Sequence, residues 1–430
     1  MDQILLKIQD SLLTGTNTMM QFLYNTGIRF YHFLIWVASC KNPKARKWLS
    51  GRKNLFERLQ KEVIPGEPLL WFHVSSLGEF EQARPVIEGV KKDFPGYKIL
   101  MTFFSPSGYE LKKDYPLADY VFYLPLDTHR NASRFLDIVK PDKVFFVKYE
   151  FWYNFLTELK KRKIPTYIFS ALFRPSQLFF QPWGKWFRKA LKAYTHIFVQ
   201  NQSSFDVLQR FGFTNVSICG DTRLDRVAQI ARSASNLPKL VEFCAGNKVI
   251  VAGSTWPEDE AFFLRFVNEC KHKVKFVIAP HEVNRDSLNR ITENLQRPFV
   301  FYSSDSTPKE LANAEVLIVD GYGYLVSVYR YAKVAYIGGG FTTGIHSILE
   351  PAVYGMPVVF GPDYHKFNEA SEMIQLNAAH SISTYEELYD LFESYLTDPV
   401  RLENESRMAS QYVESNRGAT DQIVRYFFEK

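Results

Sequence analysis

Carboxylates, cations and glycines recur just behind apolar runs of strand length. Ser75-Ser76-Leu77-Gly78-Glu79 follows the run over residues 69–74, and Lys148-Tyr149-Glu150 follows 143–147. A carboxylate in such a place can receive the N–H groups that open a helix, or it can act as a general base toward a hydroxyl. Glu79 and Glu150 are open to both readings. Arg174 and Ser176 follow the run over 166–170, and Asp221-Thr222-Arg223 follows 215–219. These place cations at two further strand ends.

The pattern repeats later in the chain. Ser254 follows the run over 249–252, Pro280 and His281 follow 275–279, and Tyr322-Gly323-Tyr324 follows 316–319. The densest stretch is 333–370. There an apolar run over 334–337 enters Gly338, Gly339 and Gly340, with His346, Ser347, Glu350 and His365 beyond. Glycines permit positive φ and let backbone N–H groups come close to a ligand. Ser347 stands three residues before Glu350, a capping-box spacing that predicts a helix start. Gly355 and Pro357 would end that helix. A helix N-terminus beside a glycine-rich turn suits an anion, typically a phosphate. The stretch is not the G-x-G-x-x-G dinucleotide fingerprint, because no acidic residue follows in the expected place. Histidines at three strand ends of this half favour anion binding. Their spacing fits no short metal-ligand motif, so no metal is expected.

These residues need a scaffold that holds strand ends together. From residue 68 onward, apolar runs of strand length alternate with helical segments. Such alternation predicts an α/β protein with parallel sheets covered by helices. The small polar stretch 231–238 (ARSASNLP) reads as a hinge, after which the alternation restarts. The expected organisation is an N-terminal segment over 1–53, a first Rossmann-like domain over 54–230 and the hinge. A second Rossmann-like domain over 239–410 and a C-terminal helix over 411–430 complete it. Two such domains would leave a central cleft at the carboxyl ends of their strands, where open α/β sheets bind ligands.

The chain has 430 residues, too many for one ordinary core. Its hydrophobic content of 46% and charged content of 23% are those of a globular protein. A net charge of +6 without a basic stripe argues against nucleic acid as a partner. Four cysteines without C-x-x-C spacing read as free thiols rather than a disulfide or zinc framework. The N-terminal segment departs from this pattern. Residues 20–40 read MQFLYNTGIRFYHFLIWVASC, and Lys41, Lys44, Arg46, Lys47, Arg52 and Lys53 follow. The uninterrupted apolar part is shorter than the about 20 residues a spanning helix needs. It reads as a membrane-associating helix, lying in the interface or marginally spanning, with its basic flank on the cytoplasmic side.

Together, HVSSLGEFEQARPVI, KYEFWYN, GDTRLD, VAGSTWPEDE and GGGFTTGIHSILEPAVYGMPVVFGPDYHKFNEA resemble the 3-deoxy-D-manno-octulosonic acid (Kdo) transferase family. The resemblance covers nearly the whole chain, with the motifs in family order. It implies the GT-B fold, CMP-Kdo as donor, and a lipid A precursor (lipid IVA) as acceptor. It also implies work at the cytoplasmic face of the inner membrane, among its lipids, without a cofactor. On this resemblance Glu79 is the general base, and Glu150 and Arg223 support the transition state. Arg223 departs from the lysine more common there, which keeps the charge and changes the geometry. Pro280 and His281 match a donor-binding pair. Tyr322, Gly323 and Tyr324 stand where many members have Met-Gly-Glu. Ser347, Ile348, Leu349 and Glu350 match the nucleotide-binding tetrapeptide, with Glu350 on the ribose. Ser254, Gly339, Gly340 and His346 join the expected donor site. Ser76, Gly78, Arg174 and Ser176 join the expected acceptor site. Two other classes fit the same pattern: a GT-B enzyme using a UDP-sugar, as lipid-linked transferase or epimerase, or a non-catalytic membrane-bound scaffold.

Overall fold

The computed structural model describes residues 2–234, 236–342 and 344–428, with side chains from Met19 onward. Ser235 of the expected hinge, Thr343 of the glycine-rich stretch, Met1 and the last two residues lie outside the described residues. The chain forms two compact units. One runs to Arg223 and takes up the chain again from Gly418, and the other is Leu224–Arg417.

The first unit carries β1 (Leu69–Val74), β2 (Lys98–Phe103), β3 (Tyr120–Tyr123), β4 (Lys143–Val147), β5 (Thr166–Ala171), β6 (His196–Val199) and β7 (Val216–Ile218). They form one parallel sheet in the order β3-β2-β1-β4-β5-β6-β7. β1 and β5 are buried at every position, because helices cover both faces. That is why they read as largely apolar runs. Trp71, Phe135, Phe146 and Phe155 pack on one face. Phe72, Phe145 and Phe169 face the other side, where Ile423, Val424 and Phe427 of the C-terminal helix Ala419–Phe428 join them.

The second unit carries β8 (Lys248–Thr255), β9 (Val274–Pro280), β10 (Phe299–Phe301), β11 (Val316–Ile318), β12 (Val334–Ile337), β13 (Val358–Phe360) and β14 (Ala379–Ser381). Its parallel sheet runs β10-β11-β9-β8-β12-β13-β14. β8, β9 and β12 are therefore side by side, and the loops behind them share one sheet edge. The sequence pattern missed β14. It is three residues long, reads AHS, and is a strand only through its ladder with β13.

The N-terminal helix is Asp2–Ala38. No helix of the described residues is long and apolar enough to cross a membrane. Its described part is not separate from the first unit, contrary to a domain pattern that begins at residue 68. The Tyr24 hydroxyl donates to Asp127 Oδ2 at 2.6 Å, and Asn154 donates to Asn25 Oδ1 at 3.0 Å. Tyr24 also packs among Tyr153, Trp186 and Phe187. Phe22, Leu23, Phe30, Phe33, Leu34, Trp36 and Val37 are left exposed.

Candidate functional site

In the first unit, β1 ends and helix Leu77–Asp93 begins at once, with Ser76 as its N-cap. Ser76 Oγ accepts the Gly78 N–H at 3.3 Å, and its hydroxyl donates to Glu79 Oε2. Glu79 therefore lies in the first turn of the helix, half-buried, with a serine hydroxyl on one carboxylate oxygen.

Glu150 follows β4, the neighbour of β1. It is 2% exposed. Trp152 Nε1 donates to its Oε2 at 2.5 Å, and the Tyr194 hydroxyl donates to its backbone carbonyl. The fully buried His73 on β1 brings Nε2 to 3.3 Å from the same Oε2. Such enclosure holds the Glu150 carboxyl in one position.

Arg223 is gripped by its own loop. Its Nε and Nη2 donate to Asp221 Oδ2 at 2.9 and 2.7 Å, and its backbone N–H donates to Oδ1 at 2.9 Å. Gln82, one turn beyond Glu79, donates to both Asp221 oxygens at 3.2 and 3.1 Å. The Thr222 hydroxyl donates to the Gln82 carbonyl at 2.6 Å. Burial alone would raise the Asp221 carboxyl, but the Arg223 guanidinium and these hydrogen bonds hold it below its ordinary value. The helix of Glu79 and the loop of Arg223 are thus tied by Gln82, Asp221 and Thr222; the sequence marked Asp221 and Thr222 as strand-end residues but gave none of the three this role. Arg174 and Ser176, behind β5, are exposed.

In the second unit, β8 passes through Ser254, at φ 54°, into helix Pro257–Glu269. Asp259 in its first turn is fully buried. Its Oδ2 accepts the N–H groups of Trp256 at 3.0 Å and Gly339 at 2.8 Å, and its Oδ1 accepts the Tyr336 hydroxyl at 2.8 Å. Burial raises this carboxyl despite those donors.

The glycine run serves this packing. A Cβ on Gly338 would sit 2.3 Å from the Ser254 carbonyl oxygen. On Gly339, at φ 93°, it would meet the Gly344 oxygen at 2.4 Å, and on Gly340 the Gly361 nitrogen at 2.5 Å. The Gly338 N–H goes to the Gly253 carbonyl at 2.9 Å and that of Gly339 to Asp259. Backbone packs on backbone here, so these two N–H groups are spent inside the fold and are not offered to an anion. That corrects the expectation for this turn.

The expected capping box fails too. Helix Leu349–Ala352 is only four residues long, its N-cap is Ile348, and no side chain caps it. Ser347 is exposed instead. Ile348 and Leu349 turn their side chains into the core, so only their backbone faces outward chemistry. Glu350 is half-buried and has no part in a Ser347 cap.

Three rings gather where β8, β9 and β12 end. Trp256 stacks on His281 with centroids 4.7 Å apart, and His281 on His346 at 4.3 Å. Trp256 Nε1 also donates to His346 Nε2 at 3.1 Å. Burial, with His281 beside it, pushes His346 down to about 4, so it is neutral at neutral pH. Tyr322 is exposed, and its hydroxyl accepts the Val283 N–H at 3.0 Å, joining the loops behind β11 and β9. Gly323 has φ 88° with open space around it, and Tyr324 packs on Tyr302 at 4.7 Å. Among the described residues no group of three His, Cys, Asp or Glu is arranged to hold a metal ion.

Comparison with known proteins fits this scaffold. Residues 52–226, which contain Glu79, Glu150 and Arg223, match the family model described as 3-deoxy-D-manno-octulosonic-acid transferase (kdotransferase). A 3-deoxy-D-manno-octulosonic acid transferase of Rickettsia bellii is 27% identical over 375 residues, 84% of this chain and 88% of its own length. One from Aquifex aeolicus is 29% identical over 331 residues, 74% of this chain and 85% of its own. These findings support the Kdo transferase family for this chain.

The protein is a glycosyltransferase. Its fold is also that of a UDP-GlcNAc 2-epimerase from Neisseria meningitidis, with TM-score 0.61 at 16% identity over 84% of this chain and all of that one. MurG of Acinetobacter baumannii gives TM-score 0.55 at 12% identity, over 85% of this chain and all of that one. These likenesses establish the GT-B architecture of the transferase. Within it, Gln82, His73, Trp152, Trp256 and Asp259 are the site residues that the sequence did not single out, and Asp221 was noted only for its place at a strand end. Trp256 carried a local signal too: it directly follows Gly253-Ser254-Thr255 at a strand end.

Proposed function

We propose that this transferase moves Kdo from CMP-Kdo to a lipid A precursor, lipid IVA, with inversion at the anomeric carbon. The observation that carries the reading is Glu79, a half-buried carboxylate at the carboxyl edge of the first sheet. Its helix is tied through Gln82 to the loop of Arg223, and Glu150 follows the strand next to β1. In this scheme an acceptor hydroxyl attacks the anomeric carbon and Glu79 takes its proton. The new C–O bond forms as the bond to the CMP phosphate breaks, and CMP leaves with the electron pair. Arg223 meets the charge gathering on the departing phosphate. Attack from the face opposite the leaving group inverts the centre.

The donor nucleotide is assigned to the second unit, at Ser254, Pro280, His281, His346 and Glu350, with Tyr322 and Tyr324 alongside. Lipid acceptors call for a surface location. The exposed face of helix Asp2–Ala38, followed by Lys41, Lys44, Arg46 and Lys47, suits an anionic membrane interface and supports the reading of work at the cytoplasmic face of the inner membrane. Product mass analysis with CMP-Kdo and lipid IVA tests the reaction, and competition of CMP against UDP tests the donor. Tight UDP binding with no Kdo transfer would move the protein to the UDP-sugar class.

A further inference from the structure

Indole N–H is a donor only. The Trp256 Nε1–H that points at His346 Nε2 therefore needs a lone pair there. A neutral imidazole with a lone pair on Nε2 carries its hydrogen on Nδ1. A charged imidazole would present N–H at both nitrogens and break the contact. We infer that Trp256 is a positioning residue: it locks His346 as the Nδ1–H tautomer and so aims a neutral hydrogen-bond donor at an anionic oxygen of the donor nucleotide.

Four observations support this. Trp256 is held in place from two sides, since its backbone N–H binds Asp259 and its ring lies on His281. His281 then lies on His346 at 25° between ring planes, so the imidazole of His346 is stacked as well as hydrogen-bonded. The His346 backbone N–H is tied to the Gly338 carbonyl at 3.2 Å, which fixes the base of the side chain to the end of β12. Among the described residues no group is hydrogen-bonded to Nδ1, and the ring is only half-buried, so that nitrogen is available to a ligand. A preset tautomer removes a cost that binding would otherwise carry, because the ring arrives with its donor in place.

The inference rests on the donor-site reading above for the ligand, but the tautomer itself does not. The experiment separates them. Imidazole ¹⁵N–¹H correlation spectra of the full chain, assigned by loss of the His346 signals in His346→Asn, report which nitrogen carries hydrogen. The expected result is Nδ1–H in the native protein and a population moving to Nε2–H in Trp256→Phe, which keeps a ring on His281 and deletes the N–H. CMP titration is the second arm. Trp256→Phe should weaken CMP by roughly ten-fold, the worth of a hydrogen bond to a charged group. His346→Asn, whose amide N–H mimics Nδ1, should bind better than His346→Gln, whose amide reaches the place of Nε2. In the His346→Asn background, Trp256→Phe should have little further effect. Should Trp256→Phe fail to fold, the Asn and Gln pair carries the test. A native Nε2–H signal, or equal CMP affinity in the Asn and Gln variants, would overturn the assignment. A native protein that binds UDP and ignores CMP would instead overturn the donor reading, and the same variants would then be compared on UDP.

Discussion

His73 Nε2 stands 3.3 Å from Glu150 Oε2, with both side chains sealed from solvent. The pair is close without being aligned as a full hydrogen bond. A hydrogen on Nε2 suits the buried carboxylate, because an imidazole lone pair there would repel it. Nδ1 lies 2.9 Å from the Thr102 hydroxyl and 3.1 Å from the Thr102 carbonyl oxygen, and the hydroxyl accepts the Trp71 Nε1–H at 2.8 Å. Trp71, Thr102, His73 and Glu150 thus form one buried polar chain, in which His73 Nε2 is the atom without an aligned partner.

That chain makes His73 replaceable only by a donor at the same place. His73→Gln, whose amide N–H reaches the position of Nε2, should retain most of the stability and part of the activity. His73→Phe leaves Glu150 short of a partner and should cost about 1–3 kcal/mol. Urea unfolding and Kdo transfer rates on the two variants provide the check. Equal stability in both would mean that the 3.3 Å contact contributes nothing.

Glu79 is expected to act as the base, and its loss should show in turnover. Glu79→Gln keeps the volume and can still take the Ser76 hydroxyl hydrogen on its amide oxygen. Transfer should fall on the order of 10²–10⁴-fold. CMP affinity should be unchanged, since the donor nucleotide is assigned to the other unit. Ser76→Ala is the control for capping: it should lower stability by about 0.5–2 kcal/mol with a far smaller loss of turnover. A Glu79→Gln variant with near-native rates would reduce Glu79 to a helix-start carboxylate.

Gly339 should be intolerant of any side chain. Gly339→Ala combines a φ of 93° with a methyl 2.4 Å from the Gly344 oxygen. We expect a loss on the order of 1–3 kcal/mol, because the opposing atom is backbone and cannot swing away. Gly323→Ala keeps a comparable φ with nothing near its Cβ, and should cost less. Thermal melts of the two variants compare the clash with the dihedral alone.

Acid should loosen the second unit through Glu405. Burial would raise this carboxyl, but hydrogen bonds with His380, Tyr395 and Arg401 hold it down at about 2. A carboxylate depressed in the folded state stabilises fully above its unfolded value of about 4.3, and that stability fades as pH falls through the folded value. Between pH 5 and about 2 the loss should be on the order of 1–2 kcal/mol after allowance for solvent screening. Glu405→Gln should lower stability at neutral pH and flatten this slope. A native slope in the variant would assign the acid sensitivity elsewhere, with Asp221 the next group to try.

Membrane attachment should depend on the outer face of helix Asp2–Ala38 and spare the inner one. Phe33→Ser with Trp36→Ser changes two exposed rings, at 51% and 57%. Partition onto anionic vesicles should drop, with little change in melting temperature. Tyr24→Phe should do the reverse. It removes the hydroxyl bonded to Asp127, a buried carboxyl that burial has pushed up to about 6, and so weakens the first unit without touching the outer face. Co-sedimentation and thermal melts on the same samples tell the two faces apart.

The α/β architecture was legible along the chain for a definite reason. Parallel strands buried on both faces must be apolar at nearly every position, so β1, β4, β9 and β12 stand out as largely apolar runs. Residues placed directly behind those runs, such as Glu79, Glu150 and His281, inherit a position at the sheet edge from the strand alone. What local pattern could not carry was the choice of partner. Asp259 reads as an ordinary first-turn acid, yet it spends its oxygens on Tyr336 and Gly339 from another part of the chain. Ser347 and Glu350 have the spacing of a capping box, yet the helix begins at Leu349 and the box does not form. Trp256 and His346 are 90 residues apart. They meet because the sheet order sets β8 between β9 and β12, and strand order is decided by how whole layers pack, which no stretch of sequence records by itself.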